Sequence, residues 1–67
     1  MRLLHHAIKN LRIAKKKNYE KAHISAYAHL EVAKFFLHCS HPHTLSWKRI
    51  HNLIEYYANA IDKDSND

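Results

Sequence analysis

The sequence predicts an all-α fold, a small domain of three helices organised around a long central one. Two observations carry this. The stretch from Asn18 to Cys39, NYEKAHISAYAHLEVAKFFLHC, holds neither glycine nor proline and is rich in alanine and long side chains that tolerate helix. Apolar residues also recur at steps of three and four in three separate stretches, the period of a helix that buries one face.

The first helix is expected over roughly Leu3 to Lys16, with Leu4, Ala7, Ile8 and Leu11 on one face. It has no clear N-cap, and Ile13 falls off the stripe. An extended start that pairs with a partner chain is therefore the alternative for its first residues. The run Lys15-Lys16-Lys17 repels itself and ends the stripe. Asn18 then reads as the N-cap of the central helix, with Glu20 in its first turn, where the helix dipole favours negative charge.

Along the central helix Tyr19, His23, Ala26, Leu30, Ala33 and Leu37 alternate at steps of four and three, a buried seam. A second apolar stripe, Ile24, Ala28, Val32, Phe35 and Cys39, runs down nearly the opposite side, leaving a narrow polar strip of Tyr27, Glu31, Lys34 and His38. A helix that is apolar on two sides needs cover on both. The first and third helices cover one. The other, Ile24, Ala28, Val32 and Phe35 with Phe36 at its edge, is expected to meet a second copy in an intertwined homodimer. Burying Ile24, Val32 and Phe35 there would contribute roughly 1.5–3 kcal/mol each, before ordering costs.

After Cys39 comes the loop Ser40-His41-Pro42-His43, where proline blocks helix continuation. Thr44 or Ser46 can cap the third helix. In that helix Trp47, Ile50, Ile54, Tyr57 and Ile61 repeat at steps of three and four, broadened by Leu53 and Ala60. Residues from about 62 to 67 are polar and are expected to form a disordered tail.

A chain of 67 residues forms one domain and buries only ~60% of its unfolded surface, so a lone core is marginal. The single cysteine excludes an internal disulfide, which turns attention to self-association. No stretch reads as a signal peptide, and no apolar run approaches the ~18 residues of a membrane span. The expected location is the cytoplasm, with no membrane partner.

The complete absence of glycine excludes phosphate-binding loops, dinucleotide fingerprints and nucleophile elbows, each of which needs glycine where the backbone bends tightly or approaches a ligand. Neither an enzyme nor a cofactor is expected. The net charge of +5 is uneven: Arg2, Lys9, Arg12 and Lys15 to Lys17 all precede the first acid, Glu20. Arg2, His5, Lys9, Arg12 and Lys16 line one face of the first helix. That row reads as a surface for an acidic protein or for a phosphate backbone, through counterion release. Its bland alternative is a solvated face that keeps a small protein soluble.

His38, Cys39, His41 and His43 are the candidate metal ligands, because imidazole and thiolate suit zinc. Their spacing fits no strong metal pattern, and solvent-facing loop histidines are the better reading. Cys39 beside several histidines also suggests a thiol nucleophile with its base, but no orienting acid is recognisable. A buried structural cysteine is expected instead.

Two local resemblances accompany this reading. NYEKA resembles the middle of a tetratricopeptide repeat, but only one unit is present and the repeat's glycine is missing. AHLEVAKFFL resembles a helix of the HEPN family of helical nucleases and antitoxin-like partners. Arg2 to His5 or His6, and Arg49 to His51, are too short for that family's arginine–histidine motif, so nuclease activity does not carry over. Over its whole length, chiefly in LLHHAIKNLRIAK and AHISAYAHLEVAKFF, the chain resembles the small early accessory proteins of lambdoid temperate phages. That resemblance implies a regulatory role in the lysis–lysogeny choice, exercised in the host cytoplasm on a host or viral protein. A small basic nucleic-acid-binding regulator is the alternative.

Overall fold

Alanine decides how the first two helices meet. The computed structural model describes residues 3–41 and 44–65, which form α1 (Leu3–Tyr19), α2 (His23–His38) and α3 (Leu45–Ser65). Ala7, Leu11 and Ala14 are buried on α1, and Ala26, Leu30, Ala33 and Leu37 on α2. Small and large residues thus alternate along both faces. Four of the seven are alanines with no exposed surface, so the two helices can approach closely with leucines filling the gaps between. α1 accordingly packs chiefly against α2. Leu3 onward is helical, and residues 1 and 2 lie outside the described residues.

α3 closes the core with larger side chains: Ile50, Ile54 and Ile61 are buried, and Trp47, Tyr57 and Ala58 pack beside them. It rests mainly on α2 and touches α1 less. Leu4 lies near Ser46, Lys15 near Tyr57, and Asn18 near Asp64. α1 and α3 therefore run in the same direction, with α2 antiparallel to both. The fold is all-α, as expected from the periodicity.

The long central helix starting at Asn18 is not formed. α1 continues through Tyr19, and Glu20, Lys21 and Ala22 make the turn into α2, which with 16 residues is the shortest of the three helices. The Ala22 N–H donates to the Lys17 carbonyl at 2.8 Å and the Lys21 N–H to the Asn18 carbonyl at 3.0 Å, the two bonds of a Schellman C-cap. That motif needs a left-handed residue, usually glycine, and here it is Lys21 with φ 66°. Lys16 and Lys17 lie in the last turn, where positive charge favours a helix end. The lysine run thus stabilises the finish of α1, and Glu20 belongs to the turn instead of the first turn of α2.

Asn18 has another role than N-cap. Its Oδ1 accepts from His23 Nδ1 at 3.1 Å, and its Nδ2 donates to Asp64 Oδ2 at 3.0 Å. A carboxamide oxygen can only accept, so His23 carries its proton on Nδ1. One asparagine thereby joins the end of α1 to the start of α2 and the end of α3. α3 extends to Ser65, beyond Asp62, where the disordered tail was expected to begin; residues 66 and 67 lie outside the described residues.

At the other end of the bundle, polar groups satisfy the last carbonyls of α2. The Cys39 N–H donates to the Phe35 carbonyl and the Ser40 hydroxyl to that of Phe36. The Leu37 carbonyl accepts twice, from the Ser40 N–H at 3.0 Å and the Trp47 indole at 2.8 Å. Of the two candidate caps for the third helix, Thr44 performs the role, its Oγ1 accepting from the Trp47 N–H at 3.1 Å.

Two substitutions probe these features. Lys21→Gly should raise unfolding free energy by about 1 kcal/mol, because glycine adopts the left-handed cap without a Cβ clash. Urea denaturation measures this, and an unchanged or lower stability would count against the cap. Ala33→Leu should lower stability by roughly 1–3 kcal/mol through overpacking of the α1–α2 seam. An unaltered midpoint would mean that the seam has room to spare.

Candidate functional site

The outer face of α2 departs from a closed core. Ile24 is 91% exposed, Phe35 64% and Val32 41%, and Ala28 is exposed between them. These residues recur at 24, 28, 32 and 35, so the face follows from the same helical period that buries Ala26, Leu30 and Ala33 on the other side. Phe36 differs from its four companions. It is half-buried, packs on the core of its own chain, and stacks on His6 at 5.2 Å, with Phe35 edge-on at 5.9 Å. One residue is a rotation of about 100°, enough to carry Phe36 from the outer face toward α1.

Tyr19 is 89% exposed and does not join the buried seam, because it is the last residue of α1 and not part of α2. His23 is half-buried and held by Asn18, in keeping with a hydrogen-bonded structural role. Cys39 is exposed, which corrects the expectation of a buried thiol. It lies just past the end of α2, at the foot of the outward stripe that begins at Ile24.

Lys9, Arg12 and Lys16 are all exposed, at positions i, i+3 and i+7 of α1, and His5 continues the row; Arg2 lies outside the described residues. The ion pairs among the described residues are Lys17–Glu20 at 3.9 Å and Lys34–Glu31 at 3.5 Å, and His51 Nε2 lies 3.9 Å from Glu55, a pair only when the imidazole is protonated. None neutralises the row. The two lysine pairs are exposed and contribute little to stability, roughly 0–1 kcal/mol each.

His38 and His41 are exposed like Cys39, and His43 lies outside the described residues. Among the described residues no three His, Cys, Asp or Glu side chains come together in a group that could hold a metal ion. His51, in the third helix, stacks on Trp47 at 5.2 Å with the rings 13° from parallel.

Periodicity did not reveal a cleft between α1 and α3. Its central part, about 400 Å³, is lined by Ile8, Leu11, Arg12 and Lys15 from α1 and by Ser46, Arg49, Ile50, Leu53 and Tyr57 from α3. A second part of about 610 Å³ shares Ile8, Ser46 and Ile50 and continues past Leu4 and His5 toward Cys39 and His41. Leu53 next to Arg49 was the available signal: an apolar residue beside the main stripe of the third helix, with a cation one turn earlier. Among the described residues no helix is long and apolar enough to cross a membrane.

Comparison with protein-family models, with characterised proteins and with solved structures gives no match to the chain.

The position of Cys39 is checked by its chemistry. A thiol-reactive disulfide reagent should modify one equivalent of Cys39 in dilute, native protein at nearly the rate seen in denaturant. Modification that is slow until the protein unfolds would restore the buried reading.

Proposed function

We propose that the protein is a non-enzymatic adaptor or regulator that acts by binding proteins, a second copy of itself among them. The outer face of α2 is the observation that carries this reading. Isolated exposed apolar residues are ordinary, but Ile24, Ala28, Val32 and Phe35 are contiguous along one helix, and such patches mark interaction sites. In the proposed homodimer two bundles, each with its own core, meet through this face. Phe36 supports the face from behind, and the cations of α1 remain free to steer a further partner.

The resemblance to small early accessory proteins of lambdoid temperate phages supports a host-directed role. On that reading the protein acts in the host cytoplasm on a host or viral protein and influences the lysis–lysogeny choice.

Phe35→Asp tests the dimer. The side chain is exposed in the single chain, so the variant should keep its helical circular dichroism while its mass in sedimentation falls by half. A wild-type protein that sediments at the mass of one chain, or a Phe35→Asp variant that sediments like wild type, would reject the interface.

A nucleic-acid-binding regulator is the second reading, favoured by the exposed and unneutralised Lys9, Arg12 and Lys16. It expects fluorescence anisotropy with labelled DNA or RNA to show binding that weakens steeply between ~50 and ~200 mM salt. It also expects that binding to vanish when these residues and Arg2 are neutralised. No binding at the lower salt would leave the row as solvated or protein-steering charge.

A further inference from the structure

We propose that the cleft between α1 and α3 is a docking groove for an acidic amphipathic helix of a partner protein. The inference rests on the adaptor reading and names a site and a partner chemistry for it. The floor of the groove is apolar, formed by Ile8 and Leu11 on one wall and Ile50, Leu53 and Tyr57 on the other. Leu53 is left 44% exposed there, while Ile50 beneath it is buried. The two walls are parallel helices that both lean on α2 more than on each other. The space above two such helices is filled in a four-helix bundle by one more helix, whose side-chain ridges fit between theirs.

Charge specifies the occupant. Arg12 and Lys15 on one wall and Arg49 on the other are exposed at the rim, and none pairs with an acid among the described residues. Among the described residues no aspartate or glutamate lines either part of the cleft. Cations on both rims above an apolar floor complement a helix that has leucine-like residues on one face and carboxylates at its flanks. A phosphate backbone would meet the cations but leave Leu53 and Ile8 without apolar cover. The walls run from Leu4 to Lys15 and from Ser46 to Tyr57, so the groove accommodates about three helical turns, roughly 17 Å.

The probe is a labelled, capped peptide of ~14 residues with leucine at helical spacing and glutamate between. Three controls accompany it: the same peptide with lysine for glutamate, a scrambled peptide of identical composition, and a single-stranded oligonucleotide. The acidic amphipathic peptide should bind, and the lysine and scrambled peptides should bind at least about tenfold more weakly. Leu53→Glu, and separately Arg49→Glu, should weaken binding by a similar factor with helical circular dichroism unchanged; both side chains are exposed. Phe35→Asp should leave peptide binding intact.

Equal binding of the acidic and lysine peptides, tighter binding of the oligonucleotide, or no binding at all would overturn the groove. So would binding that Phe35→Asp abolishes and Leu53→Glu does not. Self-association measured on the same samples separates the two claims. A dimer that ignores the peptide rejects the groove alone, whereas a monomer that ignores it rejects the adaptor reading as well.

Discussion

The close approach of α1 and α2 along their alanines is the constraint on which the other packing depends. Ala7, Ala14, Ala26 and Ala33 contribute little apolar area themselves, but their small size leaves room for Leu11, Leu30 and Leu37, which are buried between them. A pair of helices packed this closely presents a third helix with a narrow ledge. α3 fills it with β-branched isoleucines at 50, 54 and 61 and with the Trp47 and Tyr57 rings. The same geometry explains what remains open. Because α3 rests chiefly on α2 and touches α1 less, a cleft lined by Ile8 and Leu53 is left between α1 and α3.

Helix ends are the second constraint in a chain without glycine. Where other proteins use glycine to reverse the backbone, this one places Lys21 in the left-handed region and compensates with the paired cap bonds and the Asn18 tie. At the opposite end Thr44, Ser40 and the Trp47 indole do comparable work for α2 and α3. Both ends of the bundle are therefore held by polar side chains that reach between elements. Each such bond adds ~1 kcal/mol, which is considerable for a domain with so small a core.

Two surfaces of different chemistry result. The outer face of α2 carries the apolar stripe from Ile24 to Phe35 beside a narrow polar strip of Tyr27, Glu31, Lys34 and His38, in which Glu31 and Lys34 pair with each other. The α1–α3 side is apolar in its floor and cationic at its rim. The first suits a like surface and the second an oppositely charged one, so a dimer through α2 and a partner in the cleft do not compete for the same residues. Lys9 and Lys16 lie beyond the cleft lining, and Arg12 belongs both to the basic row and to the rim.

The sequence by itself determined the three helices, the buried faces of the second and third, and the outward stripe from Ile24 to Phe35, because helical periodicity is a local property written in residue spacing. It also narrowed the cap of the third helix to Thr44 or Ser46, between which the structure chose Thr44, and it located the cationic row of α1. It did not place the α1–α2 turn. Asn18 is as good an N-cap as it is a tie between helices, and a lysine in the left-handed region has no signature in composition. Tyr19 and Cys39 were assigned to buried positions for the same reason: extending one helix from Asn18 to Cys39 assumed a single axis where the chain uses two ends and a turn. The tertiary structure alone decided that α3 would lean on α2, that the C-terminal segment would be held through Asp64, and that an open cleft would lie between α1 and α3. Each depends on which helices approach most closely, and that is set by side chains distant in sequence.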